Sequence, residues 1–406
     1  MRLKDLLELT NEYEEEIIEY RRYFHENPEL SFQEEETSKK IRSILDSWEV
    51  PYDYPVAKTG IIAYLKGGKP GKTIMVRGDI DALPVKEDTG LPFSSKHQGI
   101  MHACGHDAHT ANLLGVIKVL KPLIHEFSGN IKFLFQPAEE AGGGGREVVK
   151  EGYLEDVDYA IGLHVMPEEG GHIKISPGYN TAYSDGFQIK VTGKNAHTSK
   201  PQEGVDAIYV AAKLIDALYG INAKNLDPKE IGTFSIGHIE GGTAPNIVPE
   251  EVTLKGMMRT LSKETRESLK TKIEEITLNY PKVFGAKGEF QFKPGYPSVY
   301  NDPNLVEKAY DFLKNNYRYL LEDINSGIIE DDVLNFLDHS VDPRLGAEDF
   351  GFYAQEVPSL FIWVGTGLSA PQHNPKFTID ERYLKLCTRI LSILTLVCSD
   401  NEEVIQ

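Results

Sequence analysis

Cysteine is scarce in this chain, with three among 406 residues. A small odd number argues against a disulfide framework and suits a reducing compartment. Long apolar runs are missing too. None reaches the roughly 18 to 20 residues of a membrane span, so no membrane contact is expected. The first residues, Met1-Arg2-Leu3-Lys4-Asp5, lack the apolar core of a signal peptide, and a cytoplasmic location is expected. Positive charge is in deficit: 43 Lys and Arg stand against 62 Asp and Glu, a net charge of −19. That balance argues against a nucleic-acid partner and indicates a solvated surface. No Gly-x-Ser-x-Gly elbow of a serine hydrolase occurs. The one glycine run, Gly142 to Gly145, lacks the Gly-Lys-Ser/Thr ending of a phosphate loop. It reads as a flexible segment that lets backbone approach a site. No internal repeat or low-complexity tract stands out.

What is present is an ordinary globular composition, 40% hydrophobic and 26% charged, in a chain long enough for two or three domains. Its chemistry concentrates in few places. Cys104 and His106 lie in Met-His-Ala-Cys-Gly-His-Asp-Ala-His, Glu140 in Phe-Gln-Pro-Ala-Glu-Glu, His164 in Gly-Leu-His-Val and His373 in Gln-His-Asn-Pro. One thiol, one carboxylate and three imidazoles suit a borderline divalent metal. Glu139 puts a second carboxylate beside Glu140. A metal that polarises a carbonyl and a carboxylate that deprotonates water together make a hydrolytic site.

Histidine alone says little, since the chain has 12; the contexts carry the argument. Ile131 to Gln136 reads as a buried strand stopped by Pro137, with Glu139 and Glu140 just beyond. Tyr159 to Leu163 is a second such strand with His164 at its end. Leu360 to Val364 is a third, with His373 in the following loop. Open α/β sheets bind ligands at such carboxyl ends. His102, Cys104, His106 and His109 cluster ahead of an apolar helical run, Ala111 to Leu120. Of these, His109 reads as a residue that orients its neighbours, and His25 as structural. Cys387 and Cys398 read as packing residues of the last helix. Asp79 and Asp81 follow the strand Thr73 to Arg77. If that strand continues, alternation sends them to opposite faces, and Asp79 is the first choice for a carboxylate that orients a ligating histidine.

The pattern changes near residue 185. Before it, apolar strands alternate with helices, as in an α/β sheet covered on its faces. From 185 to 295 the order is β-α-β-β-α-β, the ferredoxin-like arrangement. The chain thus reads as a discontinuous metal-binding catalytic domain, 1–184 and 296–406, interrupted by an inserted α+β domain, 185–295. Within the insert, His197, Asn246 and Arg259 stand out. Hydrolysis of an amide needs a donor to the oxyanion, and an amino-acid product offers a carboxylate that an Arg fork reads well.

Several motifs resemble one family in order along almost the whole chain. They are Arg21 to Leu30, Arg77-Gly78-Asp79-Ile80-Asp81-Ala82-Leu83-Pro84, Met101 to His109, Phe135 to Glu140, Asn246-Ile247-Val248-Pro249 and Gly346-Ala347-Glu348-Asp349-Phe350. The family is the M20 metallopeptidases, in their amidohydrolase branch of N-acyl-amino-acid and hippurate hydrolases. The resemblance implies a phosphorylase/hydrolase-like catalytic domain with an inserted dimerisation, or lid, domain. It implies two divalent metal ions held by Cys104, His106, Glu140, His164 and His373, with Glu139 as general base. Zinc, manganese, cobalt and nickel all suit those donors, and the thiolate favours softer ions. The resemblance assigns His197 to the oxyanion of the partner subunit's site in a homodimer, and Asn246 with Arg259 to the substrate carboxylate. The implied reaction cleaves N-acyl amino acids to a carboxylic acid and a free amino acid. A carboxypeptidase or dipeptidase with the same chemistry is the alternative, and a non-catalytic metal-binding module is disfavoured by the complete residue set.

Overall fold

A computed structural model describes residues 3–224, 229–324, 335–340 and 342–401. Its elements, in chain order, begin with the helices α1 (Leu3–Glu12), α2 (Glu14–Glu26) and α3 (Glu35–Ser47). There follow β1 (Tyr52–Val56), β2 (Gly60–Lys66), β3 (Lys69–Asp79), α4 (His106–Leu120), β4 (Ser128–Gln136), α5 (Gly144–Lys150), β5 (Tyr159–Met166) and β6 (Ile173–Lys174). The middle of the chain supplies β7 (Tyr183–Thr192), α6 (Ala207–Lys224), β8 (Gly232–Gly241), β9 (Glu251–Thr260), α7 (Lys263–Asn279) and β10 (Lys287–Tyr296). The last are α8 (Pro303–Leu321), β11 (Leu337–Asp338), α9 (Gly351–Glu356), β12 (Ser359–Gly365) and α10 (Leu384–Cys398).

The chain divides into two compact units. The first comprises 1–178, 299–342 and 349–406, and the second 179–298 with 343–348. The second unit is therefore wider than the 185–295 read from the β-α-β-β-α-β pattern. Segment 343–348 joins it through backbone bonds such as Ala182 N–H to Gly346 O at 3.1 Å, a contact between distant positions that no local pattern displays.

In the first unit eight strands run in the order β1-β2-β4-β3-β5-β12-β6-β11. The central strands β4, β3, β5 and β12 are parallel to their neighbours in that series. Their nearly unbroken apolar sequences follow from burial on both faces. Alternate residues serve opposite layers. Ile74, Val76, Ile131, Phe133, Ile161 and Leu163 pack in one core with α4 and α10. Met75, Leu134, Ala160 and Phe361 face the other, with Val148 of α5 and Tyr353 of α9. Every residue of α10 is buried, Cys387 and Cys398 among them. The register pairs Asp79 with Gln136 and Gly365 with Met166, so the carboxyl ends of the four central strands lie along one edge. The acidic, amphipathic start of the chain forms two helices, α1 and α2, broken at Tyr13.

The main sheet of the second unit is antiparallel, β8-β9-β7-β10. Numbered within the unit that is 2-3-1-4, the ferredoxin-like order. Helices α6 and α7 share one apolar core with it, including Leu214, Leu218, Leu269 and Ile273 against Phe187, Ile189 and Val191. Among the described residues no helix is long and apolar enough to cross a membrane.

Candidate metal centre

Three sequence features deliver side chains to the carboxyl edge of the large sheet. At the first, Gly105 caps α4 with φ +91°, a left-handed conformation that favours glycine. A Cβ there would stand 2.3 Å from Val165 Cγ2. Cys104 and His106 therefore leave the chain on either side of a tight turn pressed on β5. At the second, β4 ends at Gln136, and Pro137 stops the strand. Ala138 takes φ +54°, and Glu139 and Glu140 follow. The glycine run after them is closely packed, with Gly143, Gly144 and Gly145 buried. A Cβ on Gly144 would lie 1.8 Å from Pro137 O, and Gly145 N–H donates to Asp349 Oδ2 at 2.9 Å. At the third, His164 sits inside β5 and His373 in the loop after β12. His373 has φ +64°, and its N–H donates to Ala103 O at 2.7 Å, which ties that loop to the Cys104 segment.

The five ligand candidates converge within the first unit. They form two groups that share the thiol: Cys104 with His106 and His164, and Cys104 with Glu140 and His373. In each group the donor atoms all lie within 4.8 Å of one another. Cys104 Sγ is 3.5 Å from His164 Nε2. Glu140 Oε1 is 3.4 Å from His373 Nε2 and 3.9 Å from His106 Nε2. The inner atoms are those left without hydrogen bonds: buried His106 Nε2 and Glu140 Oε1 have none. Orphaned buried polar atoms are costly, and a cation between them removes that cost. The tautomers fit as well. His164 Nδ1 donates to Val165 O at 2.7 Å and His106 Nδ1 to Asp81 O at 3.0 Å, so both Nε2 atoms face inward. This arrangement orients ligating histidines elsewhere. The residues present thus fit a divalent metal. Burial pushes the Cys104 thiol well up, against the pull of His106, so binding as a thiolate releases a proton.

Two aspartates frame His106. The strand β3 stops at Asp79, so alternation does not govern Asp81, and both carboxylates turn to the same imidazole. Asp79 Oδ2 lies 3.5 Å from Nε2 and Asp81 Oδ1 3.3 Å from Nδ1. Asp79 is wholly buried and held by Arg77 Nη1 at 2.7 Å. Burial would raise its pKa, but Arg77 and His106 outweigh that and hold the carboxyl well below the usual range. It also accepts from His109 Nδ1, whose Nε2 accepts the Val165 N–H at 3.0 Å. Both nitrogens of His109 are thus committed to neighbours. Asp81 does more than the sequence suggested. Its Oδ1 accepts the Glu139 N–H at 3.1 Å and its Oδ2 the Glu140 N–H at 3.0 Å. The only sequence signal was its place in Asp-Ile-Asp. Gln372, overlooked beside His373, brings Nε2 to 3.6 Å from Cys104 Sγ. His25 bridges Asp107 and Glu87 at 2.8 and 3.2 Å.

The second unit brings together two of its three candidates. His197 pairs with Ile247, and Asn246 O accepts the Thr198 N–H at 3.3 Å. His197 is exposed, with Nδ1 2.7 Å from Ser199 Oγ. Both lie beyond the end of the sheet where Glu251 faces Thr192. Arg259 faces Ser184 at the opposite end. Eight residues of strand, at about 3.3 Å each, separate the two ends by about 26 Å. The pairing of Asn246 with Arg259 on one carboxylate therefore does not occur within a single chain's second unit. Arg259 Nη1 is buried without a hydrogen-bond partner.

A parallel-rich sheet carrying this donor set, with a carboxylate beside it, defines a metal-dependent hydrolase acting on C–N bonds. Residues 75–396 match the family described as peptidase family M20/M25/M40, and the chain belongs to that family. It is similar to an N-acetylcysteine deacetylase of Bacillus subtilis, 35% identical over 383 residues that cover 94% of this chain and 96% of that protein. It is equally similar to thermostable carboxypeptidase 2 of Saccharolobus solfataricus, 35% identical over 401 residues covering 96% and 97%. Among solved structures, a dinuclear metal binding M20 peptidase of Bacillus subtilis superposes with a TM-score of 0.81 at 33% identity, covering 96% of this chain and 99% of that one.

Proposed function

We propose that this protein is a binuclear amidohydrolase that cleaves N-acyl amino acids, acetyl- or benzoyl-type, to a carboxylic acid and a free amino acid. One observation carries the reading: Glu139 stands on the same turn as Glu140, beside two ligand groups that share Cys104. The two groups would hold two divalent ions, with Cys104 available to both, and zinc, manganese, cobalt and nickel are the candidates. Divalent ions bound there would supply Lewis acidity to the amide carbonyl and to the attacking water. The chain does the rest. Glu139 takes the proton of the water as its oxygen bonds to the amide carbon. It then gives that proton to the amide nitrogen, so that the C–N bond breaks with a neutral amine as the leaving group. Asp79, Asp81 and His109 hold His106 and His164 in place.

His197 and Asn246 are assigned to the partner subunit's site in a homodimer, and Arg259 to the substrate carboxylate. The distance between the two ends of the sheet supports that division, because one chain cannot present both ends to one small substrate. The edge strand β8 supports self-association: Ile239 is exposed on it, with Ile208 and Tyr219 exposed on α6. A cytoplasmic setting suits a reduced thiolate ligand. The carboxypeptidase reading is favoured by the two Saccharolobus relatives named as thermostable carboxypeptidases. A panel of N-acetyl, N-benzoyl and dipeptide substrates, with each metal restored to chelated protein, decides between them. Activity that survives removal of metal to trace level contradicts the mechanism.

A further inference from the structure

Glu34 is fully buried at the start of α3, and neither the ligand set nor the proposed chemistry uses it. Its Oε1 accepts the Ala138 N–H at 2.9 Å and its Oε2 the Thr59 hydroxyl at 2.6 Å. The next two amides, Glu139 and Glu140, go to Asp81. Three successive N–H groups are thus taken by two buried carboxylates. The loop that carries Glu34 grips the turn elsewhere as well. Ser31 Oγ donates to Asp81 Oδ2 at 2.6 Å, and Phe32 Cε2 stands 2.5 Å from where a Gly142 Cβ would be. Ala138, at φ +54°, holds a conformation costly for a residue with a Cβ. Such a conformation persists only where its surroundings impose it.

We infer that Glu34 is a positioning residue: by fixing the Ala138 amide it sets the direction in which Glu139 leaves the turn. The inference rests on Glu139 being the base. What matters at Glu34 is an acceptor oxygen, not a charge. Burial pushes its carboxyl up to about 7, with the Thr59 hydroxyl opposing and Asp81 adding, yet either protonation state leaves an oxygen for the Ala138 N–H. Glutamine supplies the same acceptor, whereas alanine supplies none. Aspartate falls short by one methylene, about 1.5 Å.

The experiment measures amide hydrogen exchange at Ala138 in metal-free protein, and kcat and KM on an N-acyl amino acid in metal-loaded protein. Expected for Glu34→Ala is exchange at least about tenfold faster. Its kcat should be at least about tenfold lower, since a displaced catalytic group is costly, with KM within about threefold and metal content kept. Glu34→Gln should match wild type within about twofold in both. Should the alanine variant not fold, Glu34→Asp carries the same expectation of loss. Faster exchange with kcat unchanged would mean a purely structural residue and overturns the inference, as does loss in Glu34→Gln equal to that in Glu34→Ala. Unchanged exchange overturns it whatever the substrate. A wild-type protein inert on every acyl-amino acid defeats the functional reading instead, and the exchange result still decides whether Glu34 holds the turn.

Discussion

Adjacent carboxylates to which different duties are proposed are the sharpest feature at the scale of single residues. Glu140 has an orphaned oxygen in the ligand cluster, and Glu139 has the same backbone anchor through Asp81. Glu139→Gln keeps size and polarity but cannot take a proton. Activity is expected to fall at least about a hundredfold with metal content unchanged by elemental analysis. Glu140→Gln is expected to lose metal. Equal, mild effects from both would reverse the assignment. Glu34 gives a pH signature. Its carboxyl titrates near 7 in the folded protein against 4.5 as an unperturbed side chain. Between those values the folded state binds the extra proton, so this group's contribution to stability declines as pH rises from 4.5 to 7 and is constant above. Urea unfolding of metal-free protein at pH 5 and pH 8 should show wild type losing ground to Glu34→Gln, by at most about 3 kcal/mol. A constant difference between the two pH values would contradict this.

At the scale of elements, the start of α4 and the end of β5 behave as one piece. Gly105 lies against Val165, and Val165 anchors both His109 and His164 through its backbone. Gly105→Ala adds a left-handed alanine and a side-chain collision, expected to cost about 2–4 kcal/mol, read as a shift in denaturant midpoint. Metal affinity should fall with it, because Val165 cannot move without His164; a normal affinity at lowered stability would separate the two. These same elements show what the sequence could reveal. The strands β3, β4, β5 and β12 were legible because burial on both faces leaves unbroken apolar runs. The insert was legible from the order of its elements. The edge strand β1, half exposed and holding Pro55, carries no such signal. Nor do Glu34 and Asp81: the bond from Ala138 to Glu34 spans 104 positions, and nothing local to either residue announces the other. Asp79 drew attention because it ends a readable strand, while the carboxylate that holds the Glu139 turn lies two residues on, where the strand has stopped.

For the whole molecule, assembly and site are expected to be inseparable. If His197 completes a neighbour's site, His197→Ala and Glu139→Gln chains are each nearly inactive alone. Co-refolded in equal amounts, half the dimers pair one of each, and one of their two sites is intact. Up to about a quarter of wild-type activity should return. No recovery in proven heterodimers would place His197 in its own chain's site or in none. The order of strands in the large sheet bears on biosynthesis. Strand β12 lies between β5 and β6, yet it follows β5 by roughly 200 residues, or about 10–40 s at ordinary rates of translation. As the chain leaves the ribosome, the contiguous segment 179–298 is complete first. Meanwhile β5, carrying His164, waits with an open edge for a strand not yet made. The nascent chain therefore holds Cys104 and its histidines without His373, and an unpaired apolar strand beside them. A premature stop codon ahead of Ser359, where β12 begins, would release that split sheet permanently, and its product is expected in the aggregated fraction of the cell.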